Sequence, residues 1–348
     1  MLRRLIPVVV LSFAAGCGHG VAWRADSSGF LYTDKGGSRV VAFDLKTKSS
    51  RPVVTDAETK TFLPGLSPDG KRLAVARLEH PKGAKPRLQV RIYSTEGKEE
   101  RRSTWSVREG DVSQADRLEE VYLYWTPQDR IILVAEGVCI YDVRQDRFLD
   151  VEKVTPWFPG ASVLRPDGRG CLVHREIKGK GEIELLFLDW DGALRPLGKL
   201  SDQGQKGMTF LAEWDGNLAL VMHDGQLFEA DTAKGAMRVS KRKAPVLRSE
   251  GLLCAYHVFP GGTKAVCVYD REKGKGNEKH HYRAIELQDL ATSSRTPLID
   301  ECHQCLMLYP SPDRKTVVLS YMPNGNQESR LLVVGADGKV VSNIKTGP

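Results

Sequence analysis

The sequence predicts an all-β chain of repeated four-stranded units. Three observations predict it: a turn motif that recurs along the chain, strand-length apolar runs that follow each copy, and no window that holds a helical period over three turns. The clearest copies are Ser67-Pro68-Asp69-Gly70-Lys71-Arg72, Arg165-Pro166-Asp167-Gly168-Arg169 and Ser311-Pro312-Asp313-Arg314-Lys315. Weaker ones begin at Trp23, Trp125, Trp214 and Phe259. Taking Asp26, Asp69, Gln128, Asp167, Asp215, Gly261 and Asp313 as equivalent gives steps of 43, 59, 39, 48, 46 and 52 residues. Their mean is about 48, close to the length of one blade of a β-propeller. The expected architecture is therefore a β-propeller of about seven four-stranded blades, with six or eight as alternatives.

Each period supports this element by element. After the turn comes an apolar strand, then a loop, then a second strand that ends in an acidic or polar hairpin. The hairpin strands run Val40 to Leu45, Val90 to Ser94, Val138 to Val143, Leu185 to Trp190, Leu227 to Asp231, Ala284 to Leu290 and Leu331 to Gly335. Asp and Gly suit such turns because a short side-chain acceptor or a missing Cβ permits tight backbone geometry. One stretch, Val112 to Val121, has helical character and accounts for the 59-residue step as an insertion.

The amino terminus carries an address. Arg3 and Arg4 precede an apolar run from Leu5 to Phe13, then the small residues Ala14, Ala15 and Gly16, then Cys17. That order is a secretory signal peptide. Small residues before a cysteine resemble the bacterial lipobox, although Ala14 stands where leucine is usual. The resemblance implies cleavage before Cys17 and a lipid on its thiol, so residues 1–16 are read as a lipoprotein signal peptide and 17–348 as a single propeller domain. Each buried methylene contributes ~0.8 kcal/mol, so several acyl chains would hold the body at a membrane of the bacterial cell envelope, facing the periplasm or exterior. No apolar run is long enough to span a bilayer, which excludes a polytopic transporter.

Loss of the two signal-peptide arginines takes the formal charge from +7 to +5. That excess is spread over loops without interleaved aromatics, so nucleic acid is not expected as a partner.

The Ser67-Pro68-Asp69-Gly70-Lys71-Arg72 and Ser311-Pro312-Asp313-Arg314-Lys315 units resemble the WD40-like repeat of the TolB-type β-propellers, over essentially residues 20 to 345. The resemblance implies a propeller of six to eight blades and, in exported bacterial proteins, binding or scaffolding more often than catalysis. The separate amino-terminal α/β domain of TolB is missing here, as are the Gly-His and Trp-Asp pairs of eukaryotic WD40 repeats.

No catalytic, cofactor or metal residues are assigned. A serine-peptidase elbow is excluded, because Gly65-Leu66-Ser67-Pro68-Asp69 lacks the second glycine. Sialidase boxes are not present either. Cys254 and Cys267 would face each other if the Pro260-Gly261 turn were a two-residue hairpin, and they form the preferred disulfide. Cys302-His303-Gln304-Cys305 precedes a strand, which favours a local disulfide or buried thiols over redox or metal chemistry. His280 and His281 read as solvated loop residues.

The binding surface is expected on one rim. The stretches Arg77 to Arg87, His174 to Glu182 and Asp270 to Arg283 read as long basic loops between second and third strands, with Lys82, Lys85, Lys273 and Lys275 as their exposed cations. An envelope protein or an anionic glycan is the expected partner. The reading is a non-enzymatic binding or scaffold protein; the alternative is a lyase or glycan-active propeller with its site at the central channel.

Overall fold

The computed structural model describes residues 20–34, 39–55, 64–79, 87–106, 122–134, 138–150, 155–156, 165, 169–177, 181–201, 210–223, 226–242, 246, 249–274, 280–323 and 328–346. They form β-strands joined by turns.

The first sheet orders β1 (Val21–Trp23), β2 (Gly29–Asp34), β3 (Arg39–Asp44) and β4 (Ser49–Thr55). The second orders β5 (Gly65–Leu66), β6 (Arg72–Glu79), β7 (Arg87–Ser94) and β8 (Glu99–Ser106); the third, β9 (Tyr122–Trp125), β10 (Arg130–Val134), β11 (Val138–Asp142) and β12 (Arg147–Asp150). The fourth contains β13 (Thr155–Pro156), β14 (Gly170–Ile177), β15 (Glu182–Asp189) and β16 (Leu194–Ser201). The fifth contains β17 (Phe210–Asp215), β18 (Leu218–His223), β19 (Gln226–Asp231) and β20 (Ala236–Val239). A sixth sheet runs through seven strands: β21 (Leu252–Val258), β22 (Lys264–Lys273), β23 (His280–Asp289), β24 (Ser294–Pro310), β25 (Thr316–Pro323), β26 (Arg330–Gly335) and β27 (Val340–Lys345). Neighbours in every sheet are antiparallel. β24 pairs with β23 through its first half and with β25 through its second, Cys302 standing opposite both Arg283 and Pro323.

The recurring turn has a local cause. The Gly70 N–H donates to the Ser67 carbonyl, and the same bond recurs from Ser27 to Arg24, Asp129 to Thr126, Gly262 to Phe259 and Arg314 to Ser311. In each, the donor residue has positive φ, which glycine adopts freely and Ser27, Asp129 and Arg314 adopt at a cost of about 1 kcal/mol. Asp69 and Asp313 accept from the Ser67 and Ser311 hydroxyls at 2.6 Å and from the Lys71 and Lys315 N–H groups at 3.1 Å, so the acid locks the turn that the motif advertises.

The second hairpin also explains its composition. Asp44, Asp142, Asp231 and Asp289 end third strands and accept backbone N–H bonds from residues two or three positions further on. Those bonds hold the Asp44, Asp231 and Asp289 carboxyls below the usual carboxylate range.

Strands two and three of each sheet are apolar on both faces because each sheet is covered on both sides. Phe30, Tyr32, Val41 and Phe43 of the first sheet pack on Tyr309, Val318, Leu331 and Val333 of the last. The opposite face, Leu31, Val40 and Ala42, packs on Leu73, Val75 and Tyr93 of the second sheet. The second packs on the third, the third, fourth and fifth share one cluster, and Leu220 and Met222 of the fifth meet Tyr256, Cys267 and Tyr269. The seven-stranded sheet folds back on itself, Val266, Val268 and Ile285 packing on Val317, Leu319 and Leu332. The clusters therefore run in a closed cycle. Among the described residues no strand is exchanged at its seam: β1 pairs with β2, β27 pairs with β26, and the junction is tied by Trp23 Nε1 donating to the Tyr309 carbonyl at 2.9 Å and the Asp313 N–H donating to Ser27 Oγ at 3.1 Å.

The outer strands carry a repeat that the turn motif does not show. Val53, Leu197 and Leu298 each follow a proline (Pro52, Pro196, Pro297) and are skipped by the ladder. A proline cannot donate to a further strand, and the bulge beside it twists the edge, two features that discourage pairing with another chain.

Arginines after the turns tie one sheet to the next. Arg130 Nε donates to Asp142 at 3.2 Å, its Nη1 donates to the Trp190 carbonyl at 2.8 Å, and the guanidinium lies 4.6 Å from the Trp190 ring centroid. Arg72 likewise reaches Asp129 at 2.8 Å and lies over Trp125. Arg130→Ala is expected to cost about 3 kcal/mol, because the buried Asp142 loses its cation along with the ring contact. Chemical denaturation checks this; Arg130→Lys should recover only part, since an ammonium cannot reproduce the fork.

Candidate functional site

Antiparallel order divides the connections between two ends. One end holds the first-to-second and third-to-fourth turns. The other holds the second-to-third loops and the links to the next sheet. Each third-to-fourth connection is four residues long, from 45–48 to 336–339, whereas links that are longer in sequence, such as 56–64, 107–121 and 240–251, start and finish at strand ends on the opposite side. The structure thus has a trimmed turn face and a loop face, and the basic stretches singled out from the sequence lie on the loop face.

Those stretches are less loop-like than expected. Arg77 to Glu79 extend β6, His174 to Ile177 extend β14, and Asp270–Lys273 and His280–Arg283 are cross-paired rungs of a ten-residue hairpin. The expectation of loop histidines is corrected accordingly, although both side chains are exposed to solvent as expected. His280 and His281 open β23, and strand alternation sends them to opposite faces. His280 Nε2 lies 3.5 Å from Glu301, which also receives Lys273 Nζ at 3.2 Å. His281 lies between Asp270 and Glu272, at 3.5 and 3.6 Å. The Lys273 hydrogen bond holds the Glu301 carboxyl below its ordinary range. Lys82, Lys85 and Lys275 lie outside the described residues, as do Cys17 and the 112–121 stretch.

The same rungs continue inward as a polar cluster. Arg283 donates to the Cys254 thiol and lies 3.6 Å from Asp270, while Cys302 Sγ donates to the Arg283 carbonyl at 3.3 Å. On the other face Glu286 accepts from Arg271 and from Ser249 Oγ. Sequence reasoning missed this cluster because its members come from four strands, and the one available signal was the density of charges in Asp270 to Arg283.

The expected Cys254–Cys267 disulfide does not form. The turn 259–263 has five residues, and Cys267 pairs with Tyr256 instead, while a bulge between Leu253 and Ala255 displaces Cys254. Cys254 packs in the cluster that holds Val266 and Val268, whereas Cys267 packs with Ala265 and Tyr269, so the two thiols point to opposite faces of the sheet. Both are free. Cys302 is free and buried within β24 rather than ahead of a strand; the side chain of Cys305 lies outside the described residues. Burial pushes the thiols of Cys254 and Cys302 up to about 11 and about 12, so at neutral pH neither is the thiolate that redox chemistry needs.

Among the described residues no group of three or more His, Cys, Asp or Glu side chains is arranged to hold a metal ion. His257, on the strand that opens the seven-stranded sheet, is buried, and its Nε2 donates to the Arg314 carbonyl at 3.0 Å. That makes it a tie between β21 and the 311–315 turn.

No protein-family model matches the chain, and no curated protein matches it. Among solved structures it is similar to dihydro-heme d1 dehydrogenase NirN in complex with DHE, with a TM-score of 0.53 and 15% identity, covering 96% of this chain and 66% of that one. It is also similar to a eukaryotic initiation factor, with a TM-score of 0.50 and 14% identity, covering 95% and 89%. An oligogalacturonate lyase in complex with manganese aligns at a TM-score of 0.42 and 10% identity. The chain spans about two thirds of NirN. These likenesses concern the fold alone. Together with the cycle of packed sheets, the likenesses to NirN and to the initiation factor define the class: an all-β chain with the β-propeller fold, a turn face and a loop face.

Proposed function

We propose that the chain is a seven-bladed propeller held by a lipid on Cys17 at a membrane of the bacterial cell envelope, and that it binds or scaffolds through its loop face without catalysis. The blade count follows if β24 serves as the outer strand of the sixth blade and the inner strand of the seventh. The observation that carries the reading is the asymmetry of the two faces. Turns on one face are trimmed and locked by their own carboxylates, while the long, charged connections collect on the other, above a rigid ring of apolar interfaces. The kinship with TolB-type repeats rests on the recurring Pro-Asp turns. An anionic surface, whether an envelope protein or a glycan, suits the lysines of the second-to-third connections.

The test is affinity capture of the full chain from detergent-solubilised envelope, with Cys17→Ser as control and mass spectrometry of the amino terminus and of co-purifying proteins. An acylated terminus with a stoichiometric partner that is lost on replacing Lys82, Lys85, Lys273 and Lys275 by Glu is the expected result. Capture unchanged by those four replacements overturns the loop face as the binding surface.

A further inference from the structure

The geometry points to anionic lipid headgroups as the surface that the β22–β23 hairpin of the loop face meets, on the same membrane that holds the anchor. This rests on the acylation of Cys17 proposed above and names the occupant of that face.

Three observations carry it. The first is the tether. β1 begins at Val21, which pairs with Tyr32 near the loop-face end of β2, so the chain leaves the ring through the loop face. Only four residue steps separate Val21 from Cys17, and whatever their path they span at most ~14 Å. An acylated Cys17 therefore brings the loop face, and not the turn face, to within about that distance of the lipid.

The second is the height of the hairpin. β2 and β22 both start directly after the recurring turn, but β2 has six residues and β22 has ten. Tyr32, beside Val21, is the fourth residue of β2; the fourth residue of β22 is Cys267. Lys273 lies six residues further, a rise of ~20 Å at about 3.3 Å per residue. The hairpin thus reaches as far from the ring as the tether does, or farther. It also stands in the same sector, since β21–β24 are separated from the first sheet only by β24–β27. A membrane close enough to hold Cys17 is close enough to touch the hairpin.

The third is chemistry. The segment Asp270 to Arg283 carries a formal charge of +2 with both histidines neutral, or +1 when Glu301, which meets Lys273 and His280, is counted with it. At its described end the side chains of Lys273, His280 and His281 are 63%, 54% and 53% exposed. Phosphate headgroups accept hydrogen bonds from ammonium and imidazole groups, and an anionic leaflet attracts each cation with about 1 kcal/mol. The acyl chains hold the body at the membrane, and a basic contact beside them fixes which face lies against it.

The experiment uses the acylated full chain reconstituted on phosphatidylcholine vesicles with and without phosphatidylglycerol. A fluorophore is placed through Lys273→Cys on the loop face or Lys234→Cys in the 232–235 turn of the opposite face, and quenching by headgroup-labelled lipid is read. The Lys273→Cys label should be quenched several-fold more strongly than the Lys234→Cys label, and more strongly with phosphatidylglycerol present. Equal quenching at both positions, or stronger quenching at Lys234→Cys, overturns the orientation. Equal quenching with and without phosphatidylglycerol overturns headgroup charge as the ligand. A chain that carries no acyl group and floats with vesicles no better than Cys17→Ser removes the anchor, and this inference with it; a chain that floats but leaves Lys273→Cys unquenched removes this inference alone, and a protein occupant of the hairpin then takes its place.

Discussion

Phe30→Ala is expected to lower stability by about 3–5 kcal/mol and to loosen the ring at one place. Phe30 is fully buried at the seam, with its ring centroid 5.1 Å from that of Trp23 and 5.2 Å from that of Phe43. It lies in the cluster that joins the first sheet to Tyr309, Val318, Leu331 and Val333. The other packing clusters join sets of strands that follow one another along the chain; this one joins β1–β4 to β24–β27. Because no strand is shared across it among the described residues, apolar packing and hydrogen bonds such as those from Trp23 and Asp313 hold the first sheet to the last. Truncation removes transfer free energy and leaves a cavity that the surrounding strands cannot fill without tilting whole sheets. Hydrogen exchange should then rise first in β1, β2, β25 and β26 and later in β10 and β11. A uniform rise in all sheets would show that the seam is no weaker a unit than the rest, and would contradict closure by packing alone.

Acid is expected to weaken the junction between β21 and the 311–315 turn above the range in which carboxylates titrate. Burial holds the His257 imidazole down to about 4, against an ordinary value of 6.5, and its bond to the Arg314 carbonyl only partly offsets that. The neutral ring is therefore the form the folded chain prefers. Its contribution is complete above pH 6.5, where both states are neutral. It is lost progressively as pH falls from 6.5 to about 4, because the unfolded chain takes up the proton first. Below about 4 both states are protonated and the loss is complete. At 1.36 kcal/mol per pH unit the full loss is about 3 kcal/mol. The measurement is the difference in stability between the natural chain and His257→Gln across this range. The natural chain should lose ground to the variant steadily between pH 6.5 and 4, and a constant difference would sink the assignment. The turn carboxylates, such as Asp69 held low by the Ser67 hydroxyl, add their own loss only below their ordinary value of 3.8, so the two effects separate on the pH axis.

The sequence was legible where chemistry is local. The Pro-Asp turns could be counted because one carboxylate satisfies a hydroxyl and a backbone N–H within the same few residues, as Asp69 does with Ser67 and Lys71. The aspartates at the ends of third strands were legible as hairpins for the same reason. The positions Asp26, Asp69, Gln128, Gly261 and Asp313 all directly precede the positive-φ residue of the turn, so the register taken from the sequence agrees with the backbone.

What was illegible depended on register between strands. The proposed Cys254–Cys267 pair assumed a two-residue hairpin, and a five-residue turn with one bulge was enough to put the thiols on opposite faces. The charged run Asp270 to Arg283 read as loop because polar residues usually leave a sheet; instead, each of its described residues is satisfied by a rung partner or a carboxylate across the hairpin. The proline-linked bulges at Val53, Leu197 and Leu298 were present as Arg-Pro-Val, Arg-Pro-Leu and Thr-Pro-Leu but had no meaning until pairing showed which residue was skipped.

By itself, then, the sequence determined the repeat, its turns and the apolar character of the inner strands, since each is written in neighbouring residues. Only the tertiary structure decided the continuity of β24 between two sets of strands, the packing of the first sheet on the last at the seam, and the extension of the β22–β23 hairpin on the loop face. These arise from side chains hundreds of residues apart meeting across sheets, Trp23 with Tyr309 among them, and no periodicity along a chain encodes which of its distant faces will be pressed together.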